Sequence, residues 1–293
     1  MRHCIMGATI DKIKGGTGSG RRWQRGGKRL TLSNVRRGVF YVPLALAAVM
    51  SVAFLPELMA TLVTGFTAEG GAELGIHRLH VMGIAAVVAA FLLGLFAQVS
   101  KPKTRVASMW GAFVVIAVVT AGTLAYGVGR PEEVVPFFLV TAFALIAHPA
   151  GRGLFRRSNS YSPAMLALVA VAAVPIIAFV ATQLSATTST VDPHALDGHY
   201  VMMIGLAIAP LAYGTVAALG FVGWRLASWF AAIPIAYYGV LSISFPAQTG
   251  SAGLWWGAAA VIWAISFVAV AEYSRGRTDG RFRRAIGTVG QYN

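Results

Sequence analysis

The stretch that decides the fold is residues 77–99, HRLHVMGIAAVVAAFLLGLFAQV, in which two histidines and an arginine precede nineteen uncharged residues. A helix needs about 20 predominantly apolar residues to cross the hydrocarbon core of a bilayer. A helix also satisfies its own backbone hydrogen bonds where no water is available. Residues 77–99 therefore predict a membrane-spanning helix with His77 and His80 in its first turn.

Seven other segments of the 293-residue chain are similarly apolar. The composition is 57% hydrophobic and 12% charged, with a mean hydropathy of +0.68, which excludes an ordinary soluble domain. We predict an all-α integral membrane protein with eight transmembrane helices. The predicted spans are residues 38–64, 77–99, 106–128, 134–150, 163–184, 199–223, 226–245 and 252–273.

The positions of the basic residues predict the orientation. Short cytoplasmic loops carry an excess of Lys and Arg over the loops on the other side. With a cytoplasmic N-terminus, 22 of the 24 Lys and Arg lie on the cytoplasmic side, and Arg78 and Arg130 remain outside. We therefore expect a multi-pass protein of a prokaryotic-type cell membrane with both termini cytoplasmic.

A weak internal repeat appears at a spacing of 120 residues. Val81, Met82 and Ile84 correspond to Val201, Met202 and Ile204, and both groups enter a span from the outer side. A duplication of four spans into eight accounts for this pattern, although chance matches are common in apolar sequence. The expected division is a first four-helix half at 38–150 and a second at 151–273, flanked by basic cytoplasmic tails at 1–37 and 274–293.

The tails and the single cysteine limit the partners. Residues 1–37 contain ten Lys and Arg and no apolar run, which excludes a secretory signal peptide and indicates a disordered tail with affinity for anionic lipid. Cys4 alone cannot form a thiolate metal site or an intramolecular disulfide. We expect the lipid bilayer as partner, with other membrane subunits as a further class, and no nucleic acid.

Four of the six histidines are predicted to share the outer face of the membrane. His77 and His80, three residues apart, lie on one face of a helix. His194 and His199 flank the start of the sixth predicted span and reach the same outer layer. Imidazole is the commonest protein ligand of transition metals and a usual axial ligand of haem iron.

Two cofactors fit this pattern. Haem b held between His80 and His199 needs no cysteine, and a transition metal would use His77, His80, His194 and His199. Asp192, Asp197, Glu69 and Glu73 are further candidate metal ligands in the outer loops. The alternative is that these histidines are interfacial residues that bind nothing.

The span count, the duplication and the outer placement of His80 and His199 resemble those of haem A synthases, which are built from two four-helix halves. The sequence departs from that family where its fourth and eighth spans begin. Val134-Val135-Pro136 and Leu254-Trp255-Trp256 contain no histidine to complete a pair within either half. The family and its chemistry are therefore not assigned.

The sequence favours a haem- or metal-binding membrane protein related to electron transfer. The competing class is a non-catalytic protein, either a small-solute transporter or an accessory membrane subunit. Ion-coupled transport usually requires ionisable groups within the bilayer. Glu57 is the one acidic residue inside a predicted span before the eighth, and it lies close to the outer end.

The orientation can be tested with reporter fusions at Gly71 and Thr188. Both positions are predicted to lie outside the cytoplasm, so a periplasmic reporter such as alkaline phosphatase should be active at each. A cytoplasmic reporter that is active at either position contradicts the loop assignment.

Overall fold

The computed structural model describes residues 32–157 and 161–289, which are mostly helical and include no strand. Of the disordered tail predicted at residues 1–37, residues 1–31 lie outside the described residues, and residues 32–37 form the start of the first helix. The helices are α1 (Leu32–Val52), α2 (Leu55–Thr64), α3 (Ala68–Leu74), α4 (Arg78–Phe96), α5 (Val106–Tyr126), α6 (Pro131–Ile146), α7 (Pro163–Thr187), α8 (Pro193–Leu196), α9 (His199–Ala218), α10 (Trp224–Ser244) and α11 (Gly253–Val289).

Within the part of the chain that the structure describes, six helical segments are long and apolar enough to cross a membrane. They are Ala68–Phe96, Val106–Tyr126, Pro163–Thr187, His199–Ala218, Trp224–Ser244 and Gly253–Arg275, and the bent pair α1 and α2 makes seven if it counts as one span. The protein is therefore all-helical and of a multi-pass membrane type. Eight spans are not confirmed, because α6, the fourth predicted span, has 16 residues, fewer than the roughly 20 of a typical span.

The first predicted span is not one straight helix. The axis bends by 58° between the end of α1 at Val52 and the start of α2 at Leu55. Pro56 in the first turn of α2 explains the break, because proline has no N–H to donate to the preceding turn. Proline is tolerated at a helix start, where that N–H has no partner in any case.

The second span begins earlier than its sequence pattern suggests. The helical segment Ala68–Phe96 includes α3 and a 3-10 turn at Gly75–His77, which leads directly into α4. Gly75 has a φ of +52°, a conformation that glycine adopts without steric cost. Because the helical segment begins at Ala68, His77 lies within it and not at its first residue.

The backbone contacts define two ends of the bundle. At the histidine end, where α4 and α9 begin, the backbone N–H of Gly129 before α6 donates to Leu196 O at 2.9 Å. At the opposite end, His148 after α6 lies 3.3 Å from Gln98 Oε1, just beyond α4. The short helix α6 thus runs from the histidine end of the bundle to the opposite end, as α4 does.

Helices α4, α5, α9 and α10 form the centre of the bundle, and Tyr213 of α9 is its largest fully buried side chain. The Tyr213 hydroxyl donates to Ala90 O at 3.2 Å, and its ring lies against the backbone of Gly111 on α5. A methyl group on Gly111 would overlap this ring. The missing side chain at residue 111 therefore allows α5 and α9 to pack closely, as small residues do between membrane helices.

Substitution of Gly111 should destabilise the bundle. Gly111→Ala forces a methyl group into the Tyr213 ring, and overpacking of this kind costs about 1–3 kcal/mol. We expect a lower thermal unfolding temperature in detergent. The matched control is Gly38→Ala in α1, where no atom lies within 4 Å of the added carbon, and equal unfolding temperatures for the two variants would contradict this packing.

Candidate functional site

The structure brings the four predicted histidines together at one end of the bundle. The ring centroids of His77 and His194 are 4.3 Å apart, and those of His80 and His194 are 4.7 Å apart. His199 lies 5.2 Å from His77 and 5.8 Å from His194. These four rings form what we call the histidine cluster, in which residues separated by more than 110 positions in sequence are in contact.

Two helices and one short loop position the cluster. His77 and His80 lie around the start of α4, and His199 is the first residue of α9. His194 lies in the single turn of α8, where Asp192 caps the helix by accepting the backbone N–H of His194 at 2.9 Å. Asp192 is thus a typical N-cap residue. Its hydrogen bond fixes the backbone of His194 where the side chain packs against His77 and His80.

Asp192 also fixes the ring of His194. Its Oδ1 lies 2.9 Å from His194 Nδ1, and its Oδ2 accepts the Tyr200 hydroxyl at 2.6 Å. Hydrogen bonds from Tyr200 and then from His194 lower the pKa of Asp192 to about 2, so the carboxylate is ionised at neutral pH. In the neutral tautomer that carries its proton on Nδ1, His194 donates a hydrogen bond to this carboxylate and has the lone pair on Nε2.

The remaining ring nitrogens have no hydrogen-bond partner among the described residues. The unpartnered buried atoms are His77 Nδ1, both nitrogens of His80, His194 Nε2 and His199 Nδ1. A buried polar atom without a partner typically costs about 1–3 kcal/mol. Because several such atoms occur in one group of touching rings, the histidine cluster is the candidate functional site.

His80 is the most enclosed member of the cluster, with 0% of its surface exposed. Gly250, in the loop between α10 and α11, packs directly against its ring. A methyl group on Gly250 would lie 2.8 Å from His80 Cε1 and 2.9 Å from Nε2. The Tyr238 hydroxyl holds this loop in place by donating to Gly250 O at 2.6 Å.

Two further polar residues lie close in sequence to residues of this site: Arg78 follows His77, and Gln248 comes two residues before Gly250. The Arg78 guanidinium lies 4.3 Å from the centre of the Phe245 ring, and Gln248 Oε1 is buried without a partner. Tyr200 was identifiable because it follows His199 directly. Gln248 and Gly250 carried no sequence signal, because only the fold brings the loop between α10 and α11 to α4.

Three of the four histidines can face one metal ion. Nitrogen atoms of His77, His194 and His199 all lie within 4.8 Å of one another. Two nitrogens bonded to one Zn²⁺ at about 2.0–2.1 Å each lie at most about 4 Å apart. Small side-chain rotations would therefore bring these three nitrogens to the spacing of a three-histidine metal site. The His80 ring lies outside this group and packs against the His194 ring.

The carboxylates predicted as ligands do not belong to this group. In the described part of the chain, the one group with metal-ligand geometry contains histidines alone. Asp192 contacts His194 instead of the space between the rings. A carboxylate in this position orients a metal-binding histidine and raises its basicity, as commonly observed around metal sites.

The arrangement does not fit haem between His80 and His199. Their ring centroids are 5.9 Å apart with an interplanar angle of 19°. His194 lies 4.7 Å from one ring and 5.8 Å from the other, beside the plane midway between them. A porphyrin is a broad flat ring that has to occupy that plane, so the His194 ring would collide with it.

His148 is part of a different buried network. Its Nδ1 accepts the Ala150 N–H at 3.2 Å, and Gln98 Nε2 donates to Ser108 Oγ at 3.0 Å. This network joins the ends of α4, α5 and α6 at the opposite end of the bundle. His3 lies outside the described residues.

Comparison of the chain with models of known protein families, with characterised proteins and with solved structures gives no match.

The contact between Gly250 and His80 can be tested by substitution. Gly250→Ala places a methyl group against the buried ring, so we expect a loss of stability of about 1–3 kcal/mol beyond the backbone strain. Gly253→Ala is the matched control, because Gly253 has a similar φ (+77° against +82°) and no atom within 4 Å. Thermal unfolding in detergent measures the difference, and equal losses for the two variants would contradict the contact.

Proposed function

We propose that this protein binds one transition-metal ion, of the class that includes Zn²⁺ and copper, at the histidine cluster. The observation that carries the proposal is the set of unpartnered, buried imidazole nitrogens that the turn before α4 and the helices α4, α8 and α9 bring together. Imidazole suits zinc, copper, iron and nickel, whereas magnesium and calcium prefer oxygen ligands. A site made of histidines therefore favours the first class.

Binding of a metal explains the cluster better than protonation does. Protonated imidazoles whose centroids are 4.3–5.9 Å apart would repel one another in a site largely shielded from water. Neutral imidazoles without a ligand would leave several buried nitrogens without hydrogen bonds. A bound cation reduces both costs, because the neutral rings of His77, His194 and His199 can each give a lone pair to the same ion.

The Asp192 carboxylate supports the same proposal. Metal-binding histidines usually donate their second N–H to a carboxylate or a carbonyl, which fixes the tautomer. His194 makes this contact, and Tyr200 in turn fixes Asp192. These contacts hold the His194 ring in one orientation, as metal binding requires.

The finer topology belongs to this proposal. We place the protein in a cell membrane with eight crossings and both termini cytoplasmic, so that the cluster lies at the outer face. The distribution of Lys and Arg supports the orientation. The course of α6 from Gly129 to His148 supports a fourth crossing, and the packing of α4 against α10 and of α5 against α9 is consistent with two duplicated halves.

Haem binding is not part of the proposal, because the His194 ring occupies the position of the macrocycle. An electron-transfer role then requires a redox-active metal such as copper, and the donor set alone does not choose copper over zinc. The transporter and the accessory subunit stay as predictions from the sequence. No contact among the described residues favours either of them over metal binding.

Metal binding can be measured on the detergent-purified protein by elemental analysis and by titration with Zn²⁺. We expect about one ion per chain, and at least a tenfold weaker affinity in His194→Ala and in His199→Ala. Asp192→Asn should weaken binding by roughly 10–100-fold, because it removes the charged acceptor that orients His194.

Asp197→Asn is the matched control for Asp192→Asn. It removes the same charge from the same loop, but the Asp197 side chain is exposed and has no hydrogen bond to a histidine ring in the described structure. Asp197→Asn should weaken binding much less than Asp192→Asn does, because Asp197 acts on the nearby His199 through its charge alone. Protein that binds no transition metal, or that binds it equally well without His194 and His199, would refute the proposed function.

A further inference from the structure

A second site lies between helices α7, α9, α10 and α11, away from the rings of the histidine cluster. It is a cavity of about 760 Å³, within the range of roughly 300–1,000 Å³ that is usual for ligand sites. Its walls include Pro175 and Phe179 of α7, Ala207 of α9, Tyr238 of α10, and Trp256 and Trp263 of α11. No part of the proposed metal chemistry uses this space.

Three side-chain donors around the cavity already have partners, and the indole N–H of Trp256 lies at the end of the cavity nearer the histidine cluster. Trp263 Nε1 donates to Leu168 O at 2.8 Å, Tyr238 Oη donates to Gly250 O at 2.6 Å, and Thr182 Oγ1 donates to Phe179 O at 2.7 Å. These side chains have no hydrogen-bond donor left for a ligand. The wall is therefore suited to a hydrocarbon group, since a polar group would lose its hydrogen bonds on entry.

The cavity opens on the side of the bundle that faces the hydrocarbon of the membrane. It lies beside α7 and α11, the two most exposed of the membrane-spanning helices. Val174 at its edge is 72% exposed and Trp256 is 60% exposed. In a membrane protein, large apolar side chains with this exposure contact lipid, so a lipid chain can enter without crossing water.

The shape of the cavity suits a single chain. Its wall on α7 extends from Val171 to Thr182, which is roughly 16 Å at 1.5 Å per helical residue. Thr182 and Ala252 line the end of the cavity that is nearer the histidine end of the bundle, and Trp256 lies there too. Tryptophan at that level is typical of the lipid headgroup region.

We propose that this cavity binds one hydrocarbon chain of a membrane lipid, with the lipid headgroup at the histidine end of the bundle. The proposal depends on the membrane location of the helices and not on the proposed metal site. The bound chain contacts Tyr238, whose hydroxyl holds the Gly250 loop over His80. The lipid site and the histidine cluster thus share one structural element.

Native mass spectrometry of the full chain tests the site. The probe is phosphatidylglycerol with palmitoyl and oleoyl chains, added to delipidated protein in detergent. Ala207→Phe fills the cavity from its buried side, and Ala259→Phe fills it from its exposed edge in case the first variant fails to fold. The control is Ala170→Phe, which adds the same side chain at an exposed position of α7 outside the cavity.

We expect one retained lipid on the wild-type chain and on Ala170→Phe, and at least a fivefold lower occupancy in the cavity-filling variants. Equal occupancy in all four proteins would overturn the proposal. So would a dimer that carries no lipid in the wild type, because a second copy of the chain would then cover the cavity. Zn²⁺ content, measured on the same samples, reports separately on the histidine cluster, so failure of one proposal is distinguishable from failure of the other.

Discussion

The contact between Asp192 and His194 is the interaction on which the arrangement of the histidine cluster depends. One carboxylate caps α8, accepts the Tyr200 hydroxyl and fixes the His194 ring. His194 in turn is the ring that touches all the others, with centroids 4.3–5.8 Å from those of His77, His80 and His199. Without the Asp192 contacts, nothing else among the hydrogen bonds of the described residues would hold the His194 ring against the histidines at the start of α4.

Close packing and buried hydrogen bonds join the helices around the cluster, whereas its rings make no hydrogen bonds to one another. Tyr213 packs into the space left by Gly111, and the Gln98 network joins the helices at the opposite end. Membrane helices gain little from the hydrophobic effect between themselves, so close packing and buried hydrogen bonds hold such a bundle together. A framework of this kind can keep several imidazoles apart from water and near one another without a hydrogen bond between them.

The sequence predicted the helical membrane class and the common location of the four histidines. Both follow from simple quantities, namely the length of apolar runs and the alternation of basic loops, which depend on the bilayer more than on packing. The bend before α2 and the early start of the helical segment at Ala68 were missed, because a continuous apolar run does not show where a helix changes direction. The prediction of eight spans is not confirmed. The fourth predicted span is α6, whose 16 residues are fewer than the usual number for a membrane-spanning helix.

The details of the site were less accessible to sequence reasoning. Asp192 was expected as a possible metal ligand, whereas its carboxylate contacts Nδ1 of His194 and orients that ring. Haem was expected between His80 and His199, but the third ring that excludes it comes from α8, and ring positions cannot be read from spacing. The Gly250 loop reaches His80 from 170 residues away in sequence, a contact that only the packing of α10 and α11 against α4 explains.

The most direct test of the central claim is the X-ray absorption spectrum of the protein loaded with one equivalent of Zn²⁺ at its zinc K-edge. The account predicts at least three imidazole nitrogens at about 2.0–2.1 Å from the metal, with the outer-shell scattering that imidazole rings produce. A first shell made of oxygen atoms alone, without imidazole scattering, would contradict it.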